Sequence, residues 1–139
     1  MVTNNAILSY LNESKTCQRC GRTMEWRRKW KDVWDSIQYC SDACRRTRLK
    51  KPDHALEEAI IALLEKRSST ASICPSEAAR VVFPMDWMSH MEAARQAARR
   101  LVAKERIKIT QGGNRVDPST AKGPIRLRRG RNFTNQSVS

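Results

Sequence analysis

The sequence predicts an α+β fold, mainly helical and built in two parts. Three observations carry this reading. Four cysteines fall in two close pairs within the first third, apolar residues recur at helical spacing through the middle, and two alternating segments near the end flank a stretch holding Gly112 and Gly113.

The first part spans residues 15–51. Its cysteines follow the pattern C-x2-C-x19-C-x3-C, as Cys17, Cys20, Cys40 and Cys44. A two-residue spacing lets a tight turn aim both sulfurs at one ion, and Gly21 suits that turn. Cys40 and Cys44, four apart, share a face of a helical turn, and Ser41 and Asp42 favour a helix start there. Four thiolates close a coordination shell and leave no place for water, so one structural zinc ion is expected. A module this small, with almost no aliphatic residues, needs such a staple. The arrangement of knuckle, hairpin and helix-borne ligand pair is treble-clef-like.

Between the cysteine pairs lies WRRKWKDVW, with Trp26, Trp30 and Trp34 recurring every four residues. These rings either pack a small core around the ion or, interleaved with Arg27, Arg28, Lys29 and Lys31, offer a stacking surface for bases or a contact surface for a protein partner.

The second part spans residues 53–129. Lys51-Pro52 is expected to break the chain, with Asp53 as the N-cap of a helix to about Lys66. Leu56, Ala59, Ile60, Leu63 and Leu64 form its buried face, while Glu57, Glu58 and Glu65 stay in solvent. An extended piece is expected near Ala71–Ile73. A short helix then runs from Pro75 to about Val82, and a long one from about Asp86 to Lys104. On the long helix Trp87, Met91, Ala94, Ala98 and Leu101 face the core, and Ser89, Glu92, Gln96, Arg99 and Arg100 lie opposite. Ile107–Thr110 and Ile125–Leu127 alternate as strands around a flexible tip. Three helices closed by a β-hairpin form the element order of a winged helix. Residues 1–14 and 130–139 are expected to be a flexible segment and a disordered tail.

The net charge of +13 is unevenly placed. Residues 15–51 hold 12 Lys/Arg against 4 Asp/Glu, residues 52–105 hold 7 against 8, and residues 106–131 hold 8 against 1. Two basic blocks around a neutral middle favour a polyanionic partner. An odd cysteine count, a start without the basic-then-apolar pattern of a secretory leader, and no apolar run approaching the roughly 20 residues of a membrane span predict a cytoplasmic or nucleoid-associated protein.

Two stretches carry a family likeness. Residues 15–46, with the C-x2-C-G-R knuckle, the Trp/basic stretch and the Y-C-S-x-x-C-R close, resemble a small bacterial zinc-finger family of unknown function. The architecture is similar, more distantly, to the treble-clef protein that inhibits DNA gyrase, whose shorter loop prevents carrying gyrase binding over. Residues 54–129, through ALEEAIIALLEKR, ICPSEAARVV, MEAARQAARRLVAKERIKITQGG and GPIRLRR, resemble a second bacterial family of unknown function, which implies a winged helix.

A winged helix would insert the face bearing Gln96, Arg99 and Arg100 into a duplex groove, where Arg reads guanine and Gln adenine. Lys108, Arg115, Arg126 and Arg128 of the wing, and Arg27, Arg28, Lys29, Arg45, Arg46 and Arg48 of the finger, would meet phosphates. The expected function is non-enzymatic nucleic-acid binding, with duplex DNA favoured. A protein adaptor docking on a nucleic-acid enzyme, or an RNA- or ribosome-associated factor, is the alternative. No catalytic constellation stands out: Cys74 is alone, and His54 and His90 read as capping or surface residues.

Overall fold

The structure, a computed structural model, describes residues 13–134. The flexible segment expected over residues 1–14 therefore lies almost wholly outside the described residues. Its last residue, Ser14, opens β1 (Ser14–Thr16), which pairs antiparallel with β2 (Thr23–Glu25), Lys15 facing Met24. Two 3-10 turns, Arg28–Trp30 and Trp34–Ser36, lead to α1 (Asp42–Arg46). The tryptophan stretch is thus not one helix.

The second part opens with α2 (Lys51–Glu65). Pro52 lies inside the first turn rather than breaking the chain, because the N–H it lacks has no partner there. Asp53 is not the N-cap; its carboxylate accepts from the Lys50 N–H at 2.7 Å, two residues into the helix it was expected to start. Then follow β3 (Ser72–Ile73) and α3 (Pro75–Val82), both where the pattern of turn and apolar residues puts them.

The long third helix is interrupted. Trp87–His90 forms a 3-10 turn, and α4 covers only Met91–Ala103. The cause is local: Ser89 donates from its hydroxyl to the Asp86 carboxylate at 2.7 Å, and the His90 ring stacks on Phe83 at 3.5 Å. Those contacts hold His90 at φ −113°, ψ 17°, off the helical values.

The strands β4 (Ile107–Gln111), β5 (Asn114–Arg115) and β6 (Arg126–Arg129) join β3 in one antiparallel sheet of order β3-β6-β4-β5. Gly112 and Gly113, at φ +57° and +86°, make the two-residue turn between β4 and β5, whose primed geometry demands positive φ at both positions. Ile73, Leu127 and Ile109 stand side by side across the sheet on its core face, against Leu56, Ile60, Leu64, Ala94, Ala98 and Leu101.

The tail expected to be disordered from Gly130 is ordered at least to Thr134. Phe133 is 5% exposed within the main core, Asn132 N–H donates to the Glu105 carbonyl, and the Arg129 guanidinium lies 4.6 Å from the Phe133 ring. One aromatic residue outweighs a polar neighbourhood when a core gap receives it. Among the described residues no helix is long and apolar enough to cross a membrane.

Candidate metal centre and basic surfaces

Cys17 and Cys20 sit on the turn that leaves β1. The turn is closed by Gly21 N–H on the Cys17 carbonyl at 2.9 Å and by Cys17 N–H on the Arg22 carbonyl at 2.8 Å. Gly21 takes φ +79°, a value that side chains disfavour. Cys40 precedes α1 and Cys44 lies within it. Ser41 caps that helix, its hydroxyl accepting from the Cys44 N–H at 3.2 Å. All four Sγ atoms lie within 4.8 Å of one another, with Cys20–Cys40 at 3.6 Å and Cys40–Cys44 at 3.7 Å.

A tetrahedral site with metal–sulfur bonds of about 2.3 Å spaces its sulfurs about 3.8 Å apart, so the cage fits one thiophilic metal ion. Its ionisation fits as well. Burial pushes the Cys20 thiol up to about 12 and the Cys40 thiol upward. Burial also opposes ionisation of Cys17, but N–H groups of Cys20, Cys40 and Arg19 aimed at its sulfur outweigh it and bring the thiol down to about 7. The first thiolate forms readily and its charge disfavours the second, a conflict that a bound cation removes. The four thiols can hold a metal ion.

The apolar residues packed around the cysteines are Met24, Ile37 and Tyr39. The tryptophans do not build that core, contrary to the packing expectation. Trp34, 1% exposed, lies a step away: its Nε1–H donates to Glu13 at 2.7 Å, Lys15 Nζ sits 4.8 Å from its ring, and Trp30 stacks on it at 5.8 Å. Trp26 and Trp30 are half-buried.

The cysteine module rests on α4, and this overturns one sequence expectation. The helical pattern assigns Gln96, Arg99 and Arg100 to an open recognition face; Arg99 is 8% and Arg100 6% exposed beneath the Cys17–Cys20 knuckle. Arg100 donates to the Arg19 carbonyl at 2.5 Å, and Arg99 donates to the Cys20 carbonyl at 3.3 Å. Arg19 reaches back to the Gln96 amide oxygen at 2.8 Å. Glu57, expected in solvent, pairs with Arg100 at 2.7 Å, and Glu92 pairs with Arg99 at 3.0 Å. The face is used up inside the protein because knuckle carbonyls and glutamates satisfy the guanidiniums there. Arg19 is the residue that sequence reasoning missed. The available signal was Ala97, fully buried between the core stripe and the arginines, whose small side chain admits a second packed layer.

The other cations expected to meet nucleic acid fall on two surfaces. Arg27, Arg28, Lys29, Arg45, Arg46 and Arg48 are exposed on the cysteine module. Lys108, Arg115, Arg126 and Arg128 share the outer face of the four-stranded sheet around Thr110, with Lys108 directly opposite Arg128. Two of these are tethered: Arg126 donates to the Ser72 hydroxyl and carbonyl at 2.9 and 3.0 Å, and Arg128 donates to the Thr70 carbonyl at 2.7 Å.

Fold and site thus define an α+β protein with a cysteine cluster able to take a metal, docked on a helical domain. Residues 53–130 match the family described as "Protein of unknown function (DUF3253)", and this match covers more than half of the chain. The chain belongs to that family. Residues 11–47 match a second family, "Uncharacterized protein conserved in bacteria (DUF2256)". No curated protein matches the chain.

Proposed function

We propose that the chain is a non-catalytic, zinc-stapled nucleic-acid-binding protein that holds its target through the phosphate backbone. Zinc is the ion because four thiolates in a tetrahedral, water-free shell suit a borderline-soft divalent metal without redox chemistry. The cysteine module is read as a treble clef, supported by its knuckle, its hairpin and a ligand pair at the start of α1. The second part is read as a winged helix, supported by the order α2, β3, α3, α4 and the β4–β6 strands.

The observation that carries the reading is the outer face of the sheet. None of its four strands contains Asp or Glu, and Lys108 stands opposite Arg128, which is itself held by the Thr70 carbonyl. With no carboxylate on these strands to neutralise them, a phosphate over this face would meet both cations. With Gln96, Arg99 and Arg100 engaged under the knuckle, sequence readout by α4 is not part of the proposal. Phosphate contacts from the sheet face and from the exposed arginines of the cysteine module are.

Affinity of the zinc-loaded protein for duplex DNA across a salt series tests this. Each phosphate neutralised adds about 0.9 to the slope of log affinity on log salt. Binding that ignores salt, or no binding at low salt to either duplex or single strand, refutes the proposal, and an RNA duplex run in parallel separates DNA from RNA. A protein adaptor in the cytoplasm is the second reading. It is supported by the apolar side chains left in solvent at the end of α3 and in the segment after it, Val81 at 59%, Met88 at 73% and Met85 at 95% exposure. Partners retained after nuclease treatment favour it.

A further inference from the structure

We infer that the groove beside Trp30 takes an unpaired base of a single-stranded nucleic-acid segment, with Trp30 as the stacking surface and Lys29, Arg27 and Arg45 meeting the flanking phosphates. This rests on the nucleic-acid reading above and adds the strand form recognised.

The three tryptophans have separated roles. Trp34 is buried and fixed by its bond to Glu13, and it backs Trp30 with an interplanar angle of 20°. Trp30 is therefore an indole held on a rigid support and only partly buried. It forms one wall of a groove of about 650 Å³, inside the range of small-ligand sites, about 300–1,000 Å³. Tyr39 and the half-exposed Val33 add flat and apolar surface, and Gln38 brings an amide able to address a base edge.

The charge around this surface selects the ligand. Lys29 Nζ and Arg27 Cζ lie over the Trp30 ring, 5.2 and 5.6 Å from its centroid, and both side chains are exposed and able to swing off the ring onto phosphates as a base displaces them. Arg45 also lines the groove, and Asp42, the one acid lining it among the described residues, is paired to Arg45 at 2.9 Å. A π face covered by two mobile, exposed cations matches a ligand whose flat ring takes their place and whose anionic flanks receive them. A base inside a duplex has both faces covered, so the ligand must be unpaired.

The test compares zinc-loaded wild type with Trp30→Ala and Trp30→Phe on oligo(dT), oligo(U) and a duplex of equal length. Wild type binds the single strands, and Trp30→Ala loses about 5- to 150-fold of that affinity, the loss of one base–aromatic stack. Its duplex affinity and salt slope stay unchanged, since no charge is removed. Binding to either single strand supports the inference, and the two arms tell DNA from RNA. Equal single-strand affinity in wild type and Trp30→Ala overturns the inference and leaves the phosphate reading standing, as does wild type that binds duplex alone. Failure of wild type on every probe removes both. Should Trp30→Ala lose its metal, Trp30→Phe decides. Oligo(dT) quenches indole emission in wild type and not in Trp30→Phe, and equal fractional quenching in both overturns the inference.

Discussion

Replacing Gly21 by alanine probes the contact between the cysteine module and α4, with Gly112→Ala as its partner. Both glycines have positive φ, +79° and +57°, so both substitutions carry the left-handed backbone cost of about 1–2 kcal/mol. Only Gly21 is also crowded. A Cβ there would lie 2.2 Å from Arg99 Cβ and 2.9 Å from the Arg100 backbone nitrogen, whereas a Cβ at Gly112 meets nothing within 4 Å. Backbone cannot yield as a flexible side chain does, so the knuckle must lift from α4. Lifting breaks at least one of the two guanidinium-to-carbonyl bonds, Arg100 to Arg19 or Arg99 to Cys20, each worth about 1.5–3 kcal/mol as a bond from a charged donor. The expected loss is about 2.5–5 kcal/mol for Gly21→Ala and about 1–2 kcal/mol for Gly112→Ala. Urea unfolding of both variants, zinc-loaded and at equal metal concentration, measures the difference, and hydrogen exchange should locate added opening in α4. Equal destabilisation by the two substitutions would refute the docking of knuckle on helix.

Three further outcomes are expected. Phe133→Ala should cost about 3–5 kcal/mol by thermal or urea unfolding, because the ring is 5% exposed in the main core; a cost under 1 kcal/mol would return the segment to a loose tail. Chelation should unfold the cysteine module while α2–α4 stay helical, since the binding free energy of such a site is folding free energy. Emission from Trp34 and metal content at one ion per chain are the readouts, and an unchanged module without metal contradicts the site. For Glu77, the Arg67 guanidinium at 2.5 Å holds the carboxyl below its ordinary range, against burial. A folded-state pKa below the unfolded value gives stability that is fully present above the unfolded carboxyl range and lost as pH falls through the lower folded value. Glu77→Gln should therefore destabilise at neutral pH and match wild type in strong acid, and a deficit constant with pH would rule out the ion pair as its source.

Much of the architecture was legible because its causes are local. Cys17, Cys20, Cys40 and Cys44 advertise a metal through spacing alone, and Ser41 signals the helix that carries the last of them. Pro75 marks the start of α3, and the alternation of Ile107 and Ile109 with polar residues marks β4. Where local rules competed, reading failed by a few residues. Pro52 can break a chain or sit in a first helical turn, and Asp53 can cap from either position. Asp86 and Ser89 build a 3-10 turn that apolar periodicity does not register. Phe133 sits among polar residues and was placed by a gap in a core assembled from distant segments.

By itself the sequence determined the thiol cage, the order of helices and strands, and the division of basic charge into two blocks. The spacing inside each cysteine pair and the helix and strand patterns depend on neighbours within a helical turn or a hairpin, and the charge blocks need only counting. Only the tertiary structure decided which cations face solvent. Arg99 and Arg100 are met by knuckle carbonyls 79 and 81 residues away, and Arg128 by the Thr70 carbonyl 58 residues away. No periodicity encodes such partners. A guanidinium looks the same in a sequence whether water or a carbonyl satisfies it, and only the packing of one module on another tells them apart.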